Sequence, residues 1–228
     1  MKNFIKAVFS MLFLLGVTFS EFTFMAFGSE LPKADPSDWN LILVNKQNFI
    51  PKDFDTELAE LPDGHLVDKR IVPYLEEMFE AAEREGAPLA ICSAYRNYSY
   101  QAGLFEKKIR KCVKEGQSYL EAYRNAAFEV TIPGSSEHSL GLALDIVSEA
   151  YSTLDSGFEA TKQGQWLREN CAKYGFILRY PKEKEYITGI TYEPWHFRYV
   201  GRDNALYMTE NSLVLEEYIE LLEKEKED

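Results

Sequence analysis

An α+β fold, a small antiparallel sheet flanked by helices, is what this 228-residue sequence predicts, and two observations carry the prediction. Segments with apolar residues at three- and four-residue steps are interspersed with apolar runs too short for helices. Two of those short runs, at 176–178 and 192–200, are close enough in the chain to pair as a hairpin. With 46% hydrophobic and 14% aromatic residues the chain has the material for a real core. A net charge of -12 argues against a nucleic-acid partner, since phosphate binding needs a basic face.

The amino terminus reads as targeting sequence. Lys2 and Lys6 precede an uncharged apolar run from Ala7 to Ser20, and Ala26-Phe27-Gly28 is a small-x-small site before Ser29. Residues 1–28 are therefore expected to be an export signal. Glu21 interrupts the run and Phe22, Phe24, Met25 and Phe27 extend it, so an uncleaved membrane anchor is the alternative. Either way the remainder is expected outside the cytoplasm, with membrane contact only through a retained anchor. Residues 29–38, with Pro32, Asp35 and Pro36, read as a linker, and the domain is expected to fill 39–228.

Within the domain, residues 41–44 form an apolar run with strand character, and Pro51-Lys52-Asp53 marks a wrapping loop. Leu75, Met78, Phe79 and Ala82 place a helix over 72–85, with Pro73 in its first turn and Gly86 as its stop. Residues 89–92 read as a buried strand. Helices are expected over 98–115 and 118–128, the first with Leu104, Phe105 and Ile109 inward and Lys107, Lys108, Arg110, Lys111 and Lys114 on a solvated face. A strand over 142–147, a helix over 158–174 closed by Gly175, strands at 176–178 and 192–200, and a carboxy-terminal helix from 213 complete the order. Cys92, Cys112 and Cys171 cannot all pair within one chain, and their spacing matches no zinc ribbon or redox pair. Cys92 and Cys171 read as small buried hydrophobes, with a single disulfide as the alternative.

Chemistry concentrates in two motifs. Ser135-Ser136-Glu137-His138-Ser139-Leu140-Gly141 leads into the apolar run 142–147, which carries Asp145 where an unpaired carboxylate would be costly. Glu193-Pro194-Trp195-His196 supplies a second imidazole and a second carboxylate. One zinc ion would satisfy His138, Asp145 and His196 together, leaving an open coordination position. Residues three apart on a regular strand face opposite ways, but Pro194 interrupts the strand and lets Glu193 turn back toward His196. Glu193 could be a fourth ligand; a base acting on the metal's water fits better. His65, in Pro62-Asp63-Gly64-His65, reads as a solvent-facing or capping residue before a helix.

Three separated stretches closely resemble the VanY-type D-alanyl-D-alanine carboxypeptidases of the M15 zinc peptidases. They are Ser93-Ala94-Tyr95-Arg96 with Gln101, Ser136-Glu137-His138 with Gly141, Ala143 and Asp145, and Glu193-Pro194-Trp195-His196 with Arg198-Tyr199-Val200-Gly201. The resemblance runs from about Trp39 to Gly201. It implies the D-Ala-D-Ala peptidase/hedgehog-like fold, with the small sheet carrying one zinc held by His138, Asp145 and His196. Glu193 would handle protons, Arg96 would bind the substrate carboxylate or the developing oxyanion, and Gln101 and Ser136 would line the peptide subsite. Ala94 stands where the family has glycine. The implied activity is removal of the terminal D-alanine from peptidoglycan stem peptides by a monomeric enzyme, through metal-activated water and no covalent intermediate. The rival readings are an L,D-carboxypeptidase or endopeptidase with the same site, and a zinc-stabilised peptidoglycan-binding module that cuts nothing.

Overall fold

The computed structural model describes residues 30–50 and 54–227; the predicted signal or anchor at 1–28 and the loop Pro51-Lys52-Asp53 lie outside the described residues. A hairpin of β1 (Leu58–Glu60) and β2 (Leu66–Asp68) precedes helix α1 (Val72–Arg84) and strand β3 (Ala90–Ser93). Helices α2 (Tyr98–Lys114) and α3 (Tyr119–Glu129) follow, then β4 (Ala143–Val147), α4 (Lys162–Asn170), β5 (Phe176–Leu178), the short α5 (Glu185–Thr188) and β6 (His196–Tyr199). Helices α6 (Arg202–Glu210) and α7 (Leu215–Glu227) end the order. The main sheet runs β3-β4-β6-β5, antiparallel throughout, so the predicted α+β class and the β5–β6 hairpin are both present.

Local chemistry explains the helix ends. Asn97 caps α2 by accepting from the Tyr100 amide at 2.8 Å, and Ser118 with Glu121 forms a reciprocal capping box on α3. The expected helix over 158–174 is instead three pieces, a 3₁₀ turn at Ser156–Ala160, α4, and a second 3₁₀ turn at Cys171–Tyr174. Thr161 causes the first break: it is extended at φ -72°, ψ 156°, and its hydroxyl accepts from the Gly164 amide at 3.0 Å, starting a new helix.

Helix α1 buries Leu75, Met78, Ala81 and Ala82 against Leu142, Leu144, Ile146, Leu167 and Phe197 in the main core. Strand β4 is buried along its whole length, as a central strand covered on both faces must be. A second cluster joins Ile177, Val200 and Met208 to Leu215, Tyr218, Ile219 and Leu222 of α7, and a third fills the α2–α3 pair around Phe105, Ile109 and Ala126.

Several expectations need correction. Residues 41–44 form no strand: Leu41 and Val44 are buried, but the Arg198 guanidinium satisfies the carbonyls of Asn40 and Ile42 at 3.1 and 3.0 Å, replacing a ladder. The stretch read as a polar linker is docked, with Leu31 and Ala34 packed on the second cluster. Strand β3 lies at the sheet edge and is only partly buried; its register shifts between Ile91 and Ser93, leaving Cys92 exposed. Cys171 is buried as expected, its thiol pushed up to about 12 by burial, and all three cysteines are free. The closing strand is four residues, because 194–195 form a turn. His65 sits in the β1–β2 turn, 3.0 Å from Asp63, and not before a helix.

Helix α7 is tied to the sheet by charge as well as packing. Fully buried Arg179 donates from Nη1 and Nη2 to the Glu216 carboxylate at 2.8 and 2.7 Å. Glu216→Ala is expected to cost on the order of 3 kcal/mol, the low end for breaking a buried pair, because Arg179 keeps Glu137 as a partner. Urea denaturation measures this; a loss below about 1 kcal/mol would show the pair to be energetically silent.

Candidate active site

Three elements bring the site together. Asp145 on β4 pairs in register with His196 on β6, so the two side chains share one face of the sheet. His138 comes from a 3₁₀ turn, Glu137–Leu140, that ends on Gly141 at φ +73°. Any side chain there would meet the Asp68 amide nitrogen at 2.7 Å, so only glycine lets this turn approach the β1–β2 hairpin and feed directly into β4.

Each ring is oriented by its unused nitrogen. His138 Nδ1 lies 2.7 Å from the Ala94 carbonyl oxygen, which can only accept, so Nδ1 carries the proton and Nε2 offers its lone pair. That Nε2 is 3.4 Å from Asp145 Oδ1 and has no hydrogen-bond partner among the described residues. His196 is turned the other way: Nδ1 lies 3.3 Å from Asp145 Oδ1 and 3.5 Å from Glu193 Oε2, while Nε2 points at Glu137 Oε2, 3.6 Å away. One ligand atom from each of His138, Asp145 and His196 falls within 4.8 Å of the others, close enough to hold one metal ion.

The electrostatics favour a cation here. Burial and the nearby Arg96 bring His138 down to about 4, keeping it neutral. Burial opposes charge on Asp145, yet the two imidazoles hold its carboxyl well below the usual range. Burial opposes charge on His196 too, but Asp145 and Glu137 outweigh it and raise this imidazole to about 9. A field that protonates a buried imidazole is one that attracts a metal cation, and two imidazoles with a carboxylate are the donor set zinc takes.

Every residue assigned to the site from the sequence lines one cavity of about 340 Å³: Arg96, Gln101, Ser136, His138, Asp145, Glu193 and His196. Arg96 Nη2 lies 3.8 Å from Asp145 Oδ2, and its backbone is fixed to the metal loop by Arg96 N to His138 O and Ser139 Oγ to Arg96 O. Gln101 Nε2 donates to the Thr131 carbonyl at 2.8 Å, leaving Gln101 Oε1 buried and without a partner among the described residues, as Ser136 Oγ is. Burial pushes Glu193 up to about 8. His65 lines no part of this cavity.

Sequence reasoning missed some of the wall, including Leu104, Glu129, Leu154 and Tyr180, and a buried charge cluster centred on Glu137, which also lines the cavity. Glu137 accepts from Arg179 Nε and Arg198 Nη1, both at 2.8 Å, with all three side chains fully buried. A signal for one member existed: His196 and Arg198, two apart on a strand, must share a face.

An antiparallel sheet that, with its adjoining turns, presents two imidazoles, a carboxylate pair and a guanidinium around one open cavity defines a zinc peptidase. The chain belongs to the VanY family: the family model described as VanY, D-alanyl-D-alanine carboxypeptidase, matches residues 64–202. It is 41% identical over 187 residues to the D-alanyl-D-alanine carboxypeptidase of Enterococcus faecalis, covering 82% of this chain and 68% of that one. Among solved structures, VanYB in complex with D-alanine-D-alanine superposes with a TM-score of 0.75 at 41% identity, covering 80% of this chain and 98% of that one. A glutamate-to-alanine mutant of the vancomycin resistance D,D-pentapeptidase VanY, in complex with Zn(II), gives 0.74 at 40% identity over 80% and 99% of the two chains. The LdcB LD-carboxypeptidase gives 0.67 at 37%, over 84% and 93%. Zinc is the cofactor that the His-Asp-His cluster and this likeness define.

Proposed function

We propose that this protein is an exported zinc carboxypeptidase that removes the terminal D-alanine from peptidoglycan stem peptides ending in D-Ala-D-Ala. The observation that carries the reading is the placement of Arg96 and Glu193 on the same cavity as the His138-Asp145-His196 cluster. A carboxypeptidase must recognise a free carboxylate one residue from the scissile bond, and a guanidinium matches that group bidentately. A binding module would need no base beside a metal cluster.

Zinc, when bound to His138, Asp145 and His196, supplies the Lewis acid that polarises the scissile carbonyl and acidifies the attacking water. Arg96 holds the terminal carboxylate, and Gln101 Oε1 and Ser136 Oγ offer hydrogen-bonding groups to the peptide. Glu193 takes the proton from water and delivers it to the leaving D-alanine amine, so water adds across the peptide bond with no covalent enzyme intermediate. The likeness to an LD-carboxypeptidase at 37% identity supports a second reading, trimming of tetrapeptide stems at the same centre. The uncharged run from Ala7 to Ser20 supports export to the outer face of the membrane.

Carboxylate recognition is testable on the substrate itself. Amidating the C-terminus of a D-Ala-D-Ala peptide should lower kcat/KM by roughly 10- to 100-fold, the value of a charge-assisted bond. Arg96→Ala should abolish the difference between acid and amide. Equal rates on both peptides with the native enzyme would turn the assignment toward an endopeptidase.

A further inference from the structure

We propose that Glu137 is the positioning residue of the metal centre, fixing the ring and tautomer of His196 so that Nδ1 faces the cluster. The inference rests on the reading of His196 as a zinc ligand. What points to it is how Glu137 divides its two oxygens. Both guanidinia, Arg179 Nε and Arg198 Nη1, converge on Oε1 at 2.8 Å. A carboxylate present only to neutralise arginine would accept through both oxygens, in the fork that guanidinium geometry favours. Here Oε2 is left without a hydrogen-bond partner among the described residues and faces His196 Nε2 at 3.6 Å, and that nitrogen has no other partner among them either.

The geometry also says what Glu137 is not. Its Oε2 lies against the ring nitrogen opposite the one turned toward Asp145 and Glu193, on the far side of the imidazole from the cluster. It is therefore a partner of the ligand and not a ligand. His138 receives the same service from the Ala94 carbonyl at 2.7 Å. The two rings thus use opposite nitrogens, and the carboxylate partner also raises the basicity of the ring it holds.

The remaining members of the cluster keep Glu137 immobile and ionised. Arg198 is pinned by the carbonyls of Asn40, Ile42 and Tyr199, at 3.1, 3.0 and 3.0 Å. Arg179 is balanced by Glu216 of α7, so two buried cations meet two carboxylates. The carboxy-terminal helix and the segment around residue 40 thereby hold the back of the site.

The test is zinc affinity of the full chain, read by chelator competition, with the visible spectrum of the Co(II)-substituted protein and circular dichroism alongside. Glu137→Gln and Glu137→Asp should bind zinc roughly 10- to 100-fold more weakly and shift the Co(II) bands, while keeping folded spectra. If Glu137→Gln unfolds because two arginines lose their counter-charge, Glu137→Asp decides, since it keeps the charge but withdraws Oε2 from the ring. Native zinc affinity with a native Co(II) spectrum in the folded variant would overturn the proposal. His196→Ala separates the two claims: retention of zinc by that variant overturns the ligand reading beneath it.

Discussion

Glu193→Ala should retain one zinc per chain and lose about 10²- to 10⁴-fold in kcat, the contribution of a positioned general base. Glu193 Oε2 stands 3.5 Å from His196 Nδ1, beside the cluster rather than inside the set of three mutually close ligand atoms. Removing it should therefore leave metal binding intact. Its placement is secured by a chain break: residues 194–195 form a turn, the His196 amide donates to the Glu193 carbonyl at 3.2 Å, and the Glu193 amide donates to Tyr180 at 3.1 Å. Burial pushes the carboxyl up to about 8, and a divalent cation beside it would favour the ionised form that accepts a proton. Elemental analysis with steady-state kinetics checks both halves. Near-native turnover would remove Glu193 from the base role, and lost zinc would make it a ligand.

His138→Ala should lose zinc and, with it, all measurable hydrolysis. The variant removes one of three donors from a centre in which Asp145 Oδ1 lies 3.3 and 3.4 Å from the nitrogens of the two imidazoles. With two donors left, water must complete most of the coordination shell, and zinc should exchange into chelator during purification. Unchanged stoichiometry would reject His138 as a ligand. The apoprotein should remain folded, because the surrounding core of Leu140, Leu142 and Leu144 does not depend on the ring. Near-ultraviolet circular dichroism distinguishes metal loss from unfolding.

Elements with strong periodicity were legible from the sequence: α1, the α2–α3 pair, β4, the β5–β6 hairpin and α7 all lie where apolar spacing put them. The β1–β2 hairpin was not, because three-residue strands carry too few positions for an alternation to register. Helix α6 buries only Asn204, Ala205 and Met208, and Gly201 before it reads as an ending as easily as a beginning. The run at 41–44 shows the limit of periodicity, since buried side chains there coexist with a carbonyl, that of Ile42, bound by an arginine 156 residues away in the chain. The cavity residues were legible because motif chemistry is local: a histidine, a glycine and a buried aspartate lie within eight residues of one another. The support behind them was not. Glu137, Arg179, Arg198 and Glu216 come from four separate segments, and nothing but the fold makes them neighbours.

Purified protein incubated with muropeptides ending in D-Ala-D-Ala, with and without chelator, tests the carboxypeptidase reading most directly when the products are weighed by mass spectrometry. The expected result is a product lighter by a single alanine, with free D-alanine released, abolished by chelator and restored by added zinc. Intact pentapeptide stems alongside trimmed tetrapeptide stems, or cleavage that survives removal of zinc, would contradict it.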